Sequence, residues 1–210
     1  TDSRFNLTTT DGAQLSGSFD PASLALTGTL AVTGRPTVEF AGLNAKTART
    51  DRLVNLSSRA RVSPTGGRTL VTGFVIAGPA SKRVLLRAVG PALAGLGVTD
   101  ALPNPRLQLF NAGGQVISDN DDWSGTDTAA TFTQVGAFGL TAGGRDAAMV
   151  VTLAPGAYTM QVQDSGGTGV ALAEIYDAGS GVAGEAQRLV NISSRGLVEA
   201  GDGALIGGFV

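Results

Sequence analysis

Arg52-Leu-Val-Asn-Leu-Ser-Ser-Arg59 returns as Arg188-Leu-Val-Asn-Ile-Ser-Ser-Arg195, an offset of 136 residues, and how the chain is read turns on these two octets. They differ only in Leu56 against Ile192. Similarity at a fixed spacing marks a repeated structural unit. The likeness continues downstream, where Leu70-Val-Thr-Gly-Phe-Val75 matches Leu205-Ile-Gly-Gly-Phe-Val210 after a one-residue gap in the intervening turn. Short runs rich in Val, Leu and Ile between turn residues are strand signals. Residues 52–187 therefore read as one complete unit, and residues 188–210 as the opening strands of a second repeat whose remainder is missing.

Within 52–187, eight strands are predicted. Those at Arg52–Arg59 and Leu70–Ala77 flank the glycine-bearing corner Ser63–Gly67, and Lys82–Val89 is strongly apolar. Pro91 sits where a first helical residue belongs, so Gly90–Gly97 is expected to make one helical turn; little else is predicted helical. Arg106–Phe110, Gln115–Ser118, Ala147–Leu153, Gly156–Asp164 and Gly169–Tyr176 complete the set. In the fourth of these Tyr158, Met160 and Val162 alternate with Thr159, Gln161 and Gln163, the period of a strand with one buried face. Gly166–Gly169 reads as a hairpin turn. The predicted fold is all-β: an antiparallel β-sandwich of jelly-roll-like type, with C-terminal extending strands. Residues 1–51 read as a small β-meander domain or the tail of a preceding module, its runs separated by Asp11-Gly12, Asp20-Pro21 and Gly34-Arg35-Pro36.

Composition narrows the function. The 210 residues carry 15 Lys plus Arg against 17 Asp plus Glu, a net charge of −2, without the basic footprint of a nucleic-acid binder. The absence of His and Cys removes Ser-His-Asp and Cys-His nucleophiles, His or thiolate zinc sites and disulfides. No apolar run approaches the ~20 residues that span a bilayer, so membrane insertion is not expected. Few charges, 31 Gly and a wealth of Thr, Ser and Ala are similar to bacterial secreted and surface β-proteins, pointing to an extracellular or cell-surface location.

Four stretches carry a family resemblance: Leu109-Phe-Asn-Ala-Gly-Gly114, Ser118-Asp-Asn-Asp-Asp122, Leu153-Ala-Pro-Gly-Ala-Tyr158 running on to Val162, and Ala173-Glu-Ile-Tyr-Asp177. Together they resemble the bacterial pre-peptidase C-terminal type of β-sandwich, and the 52–187 unit is similar to tandem modules of large secreted Verrucomicrobia-like proteins. The resemblance implies an accessory module with roles in binding, secretion or spacing and no catalysis of its own. The insert from Trp123 to Gly144 departs from the simplest members and is expected to hold the two sandwich halves apart.

Candidate site residues follow. Asp119, Asp121 and Asp122 gather oxygen ligands of the kind Ca²⁺ takes, although the spacing is not that of an EF-hand; the competing reading is an Asp-rich turn capping backbone N–H groups. No other cofactor is indicated. Trp123 is the candidate binding aromatic if the chain recognises a glycan or surface protein. Asp119 with Asp122 or Glu174 could be offered as a glycosidase pair, but aromatic platforms are scarce and catalytic residues are not assigned. Lys82 reads as an exposed strand-end lysine. Arg52, Arg59, Arg188 and Arg195 are expected to pair with acids at a junction between units.

The expected function follows from the orphan strands. Strands without a sheet of their own are templates for another chain, so Arg188, Leu189, Val190, Ile192, Leu205, Phe209 and Val210 are expected to reach into a neighbouring subunit. The chain is then a non-catalytic extracellular structural protein. It would assemble with itself, head to tail, as a homo-oligomer or filament by β-strand addition. The alternative is a carbohydrate- or protein-binding accessory module of a larger secreted enzyme or adhesin.

Overall fold

The structure is a computed structural model that describes residues 3–10, 12–20, 25–35, 37–42, 53–64, 68–164, 167–179, 186–199 and 203–210. The chain divides into two compact units, Thr1–Asp51 and Arg52–Val210. No helix among the described residues is long and apolar enough to cross a membrane.

The first unit is an antiparallel meander of β1 (Ser3–Thr8), β2 (Gln14–Asp20), β3 (Ala25–Ala31) and β4 (Val38–Gly42), paired in chain order. It is lightly buried: Leu26 and Leu30 are only partly covered. Cross-strand hydroxyl pairs, Ser16 with Thr29 at 3.0 Å and Ser18 with Thr27 at 3.3 Å, supplement the ladder.

The second unit is an antiparallel β-sandwich. Its strands are β5 (Asn55–Val62), β6 (Leu70–Ala77), β7 (Lys82–Val89), β8 (Pro105–Asn111), β9 (Val116–Asn120), β10 (Ala147–Leu153), β11 (Gly156–Asp164), β12 (Gly169–Asp177), β13 (Arg188–Arg195) and β14 (Ile206–Phe209). One sheet has the order β10-β7-β12-β5-β14 and the other β13-β6-β11-β8-β9. Every strand-to-strand connection except β8–β9 crosses between sheets. The Gly-rich link from β11 to β12 is therefore an inter-sheet corner rather than a hairpin turn, with Gly166 outside the described residues.

Alternation builds the core. On β5, Leu56, Ser58, Ala60 and Val62 point inward, and on β6 Leu70, Thr72, Phe74 and Ile76 do so. Each large side chain removed from water there contributes about 1.5–3 kcal/mol. Strand β7 is buried almost throughout because both its faces are covered. One face meets the opposite sheet. The other lies under a second apolar cluster of Leu85, Val89, Leu93, Trp123, Phe132, Leu140 and Tyr176.

That second cluster corrects two expectations. The 123–144 insert does not separate the sandwich halves; it folds onto the outer face of β7, β10 and β12. It also contains a helix, α1 (Thr126–Val135), where none was predicted. Gly136 ends it in the left-handed region at φ 71°, its N–H returned to the Thr133 carbonyl and that of Ala137 to the Phe132 carbonyl. Phe132 and Thr131 face inward, and Asp127 in the first turn suits the helix dipole while binding Arg83 Nη2 at 3.0 Å. The predicted turn at Pro91 forms, as a 3₁₀ helix over Pro91–Leu96.

Candidate functional site

The acidic turn is built for ion pairing. Asp119 lies on edge strand β9, where Arg106 Nη2 and Nε reach it at 2.9 and 3.0 Å and Gln108 Nε2 at 2.7 Å. The Arg106 hydrogen bonds hold its carboxyl below the usual range against the opposing effect of burial, with Gln108 and the Arg106 charge adding to them. Asp121 accepts from Asn104 Nδ2 at 3.5 Å. The Asp122 carbonyl accepts from Asn120 Nδ2, whose Oδ1 in turn receives the Ala148 N–H. Among the described residues no group of three or more His, Cys, Asp or Glu converges as metal ligands. The expected set of Asp119, Asp121 and Asp122 is thus not brought together: the strand register gives Asp119 to the arginine on β8.

Trp123 is a core residue and offers no open platform. It is 7% exposed, its Nε1 donates to the Thr141 carbonyl at 3.0 Å, and its ring packs 5.1 Å from Phe132. The cause is the insert, which closes over it. Glu174 is likewise inside, with Oε2 3.1 Å from Arg87 Nε and Oε1 accepting from the Tyr176 hydroxyl at 2.8 Å. Arg87 lies between Phe132 and Phe138, 4.8 and 4.3 Å from their centroids, and donates to the Phe138 carbonyl at 2.7 Å. Burial raises the Glu174 carboxyl above its ordinary range despite Arg87, and lowers Arg87 despite Glu174. The charges are structural: they fasten the insert to the sheet.

Lys82 also departs from expectation. It is 1% exposed, with Nζ 2.8 Å from Asp177 Oδ1. It shares the inward face of β7 with Val84, Leu86 and Ala88, so strand alternation, not its terminal position, decides its burial.

The repeated strands form the distinctive feature of the molecule. Residues 188–210 were expected to lack a sheet in their own unit, and the structure corrects this. Strand β13 pairs with β6 and β14 with β5, so both lie at the edges of the home sandwich. Leu189 is buried in the main core, with Ile192 and Leu205 packed against it. The reason is that β6 and β5 each have one side free of other first-copy strands, and the second copy fits both.

The fit is two-fold symmetric. Arg195, Ser194, Ser193 and Ile192 stand opposite Val71, Thr72, Gly73 and Phe74. Their counterparts Arg59, Ser58, Ser57 and Leu56 stand opposite Ile206, Gly207, Gly208 and Phe209, themselves the counterparts of Val71 to Phe74. Even the irregularity recurs. Asn191, at φ 62°, bulges between Val190 and Ile192. At the matching place the Val54 and Asn55 N–H groups both donate to the Val210 carbonyl, at 2.8 and 3.3 Å.

Contacts near the symmetry axis join a residue to its own equivalent. Leu53 bridges Leu189, Arg61 bridges Leu197, and the hydroxyls of Ser58 and Ser194 hydrogen-bond. Gly73 and Gly208 are equivalent, and a side chain on either would run into the hydroxyl of Ser193 or Ser57, again equivalents. The turn bond Ser63 N–H to Arg68 carbonyl, 3.1 Å, has its mate in Glu199 N–H to Gly203 carbonyl, 2.9 Å. An ion pair across the copies joins Arg68 to Glu199 at 3.2 Å. Arg59 and Arg195, expected there, form no ion pair among the described residues, and Arg52 lies outside them.

Burial breaks the symmetry. Phe74 is 1% exposed under Tyr158 of β11, the ring centroids 5.6 Å apart, whereas its equivalent Phe209 is 74% exposed. Val62 is fully buried and its equivalent Val198 is 67% exposed. Ile206 and Val210 are exposed beside Phe209. Among the described residues the outer edges of β13 and β14 carry no further strand of this unit, whereas their counterparts β5 and β6 carry β12 and β11 there. Sequence reading found the repeat but missed the Ser58–Ser194 and Gly–Ser contacts, which aligning the two copies brings into register. Comparison of the chain with protein-family models and with curated proteins finds no match.

Proposed function

We propose that this chain is a non-catalytic structural protein of the cell exterior, a β-sandwich subunit of a surface fibre, stalk or array that joins further units by β-strand addition. The observation carrying this reading is the pair of open edges on β13 and β14, with Ile206, Phe209 and Val210 exposed along the second. An apolar open edge is an adhesive surface, and strand addition uses main-chain hydrogen bonds for affinity and side-chain pockets for register. Because residues 188–210 are docked at home, addition takes place on their outer edges rather than by handing them to a neighbour. The Gly-, Thr- and Ser-rich, Cys-free composition and the resemblance to pre-peptidase C-terminal type modules support an extracellular spacer role. The burial of Trp123 weighs against the glycan-binding alternative.

Sedimentation velocity and negative-stain microscopy test this. The purified chain is expected to form elongated oligomers as concentration rises. Lysine at the edge, in Phe209→Lys/Val210→Lys, is expected to return it to single particles without changing unfolding reported by Trp123. A chain that stays monomeric at high concentration would overturn the reading.

A further inference from the structure

We propose that the occupant of the open edges is a second unit of the same 136-residue repeat joined in sequence, whose β11- and β12-type strands complete both sheets about the local two-fold axis. This rests on the assembly reading above and names its partner. In the first copy β5 lies between β12 and β14, and β6 between β11 and β13. Rotation about the axis carries β5 onto β13 and β6 onto β14, and the ladder already present reproduces itself residue by residue. The same rotation places a β12-type strand on the free side of β13 and a β11-type strand on the free side of β14. Each sheet of the sandwich then runs without a break into the opposite sheet of the next.

The side chains support this occupant over an unrelated strand. Phe209 repeats Phe74, which is buried in the main core with Tyr158 stacked on it, and Val198 repeats Val62, which the core of the first unit encloses. A β11-type strand brings the same tyrosine to Phe209. Gly208 repeats Gly73, and each leaves room for the equivalent serine of the other copy, Ser57 on β5 and Ser193 on β13, so the second copy keeps the first copy's geometry at this register. Residues 188–210 thus serve two sandwiches at once, as edge strands of one and opening strands of the next.

The absence of cysteine allows a direct test. Phe209→Cys, Val198→Cys and, as control, Val116→Cys on the distant β9 edge are each made in two backgrounds. One is the 210-residue chain, and the other is that chain extended after Val210 by residues 76–187. Maleimide labelling is then timed. In the 210-residue chain, labelled at a dilution where sedimentation shows single particles, all three thiols are expected to react quickly. In the extended chain the thiols at 209 and 198 are expected to slow at least about 100-fold, as labelling comes to require local opening, while that at 116 is unchanged. Equal rates at 209 in the two chains would overturn the proposal, including the case in which the added segment fails to fold. Protection at 209 with a 210-residue chain that stays monomeric would keep this inference and reject assembly between separate chains. Oligomers of the 210-residue chain without protection would do the reverse.

Discussion

Replacing Arg87 with Met leaves an apolar stem between Phe132 and Phe138 but strips Glu174 of the cation 3.1 Å away. Glu174 then keeps only the Tyr176 hydroxyl, inside a cluster closed by Trp123, Phe132 and Leu140. Breaking a buried pair by removing one partner costs about 3–5 kcal/mol near neutral pH, because the remaining charge is uncompensated. The sign of the pH dependence follows from the raised Glu174 carboxyl. A carboxyl that binds its proton more tightly in the folded state contributes stability below its unfolded pKa, and that stability is lost as pH rises through the folded pKa. Without Arg87 the folded pKa climbs further, so R87M lies closest to the parent in acid and falls away toward neutrality. Arg87→Met/Glu174→Leu removes both charges and is expected to recover most of the loss. The assay is urea unfolding at about pH 4, below the ordinary glutamate pKa of about 4.3, and at about pH 8, well above it. Trp123, the only tryptophan, reports on the sandwich unit alone. A loss equal at both pH values, or a double variant as unstable as R87M, would refute the reasoning.

Phe74→Ala and Phe209→Ala change the same residue at equivalent positions; the first is expected to cost about 3–5 kcal/mol and the second within about 0.5 kcal/mol, measured by the same unfolding curves. Lys82→Ala, leaving Asp177 buried, is expected to destabilise by about 3–5 kcal/mol, whereas Lys82→Met/Asp177→Leu should lie within about 1–2 kcal/mol of the parent; a double variant no better than the single would exclude the pair. The Asp119 carboxyl is depressed by Arg106, so its contribution is present above its unfolded pKa and disappears as pH falls through the folded one. Asp119→Asn should therefore flatten the acid side of the stability profile while lowering neutral stability. Because Asp119 is engaged by Arg106 and Gln108, calcium or a chelator is expected to leave the melting midpoint unchanged; a rise on adding calcium would restore the acidic turn as a cation site.

Much of the architecture was legible because it is local. The alternation of Tyr158, Met160 and Val162 is strand periodicity, and β10, β11 and β12 fall where it places them. Pro91 marked the short 3₁₀ helix at Pro91–Leu96, which forms as expected. Helix α1 escaped because Thr126, Thr128, Thr131 and Thr133 are weak helix formers and Gly125 offers no side-chain cap. The packing of Phe132 on Trp123 and the Arg83–Asp127 pair hold it, and neither is visible along the chain. Lys82 and Trp123 were misplaced for a related reason: residue type states a preference for water, but burial depends on what covers the residue.

The duplicated octets and their following sextets are written in the sequence, and so is the strand character of both copies, since each depends only on neighbours in the chain. Where those strands find their hydrogen-bond partners is a choice among distant segments. The tertiary structure made that choice, seating β13 on β6 and β14 on β5 so that the copies close on one another. Backbone N–H and C=O groups are alike in every strand; shape, register and the small residues at Gly73 and Gly208 selected among them.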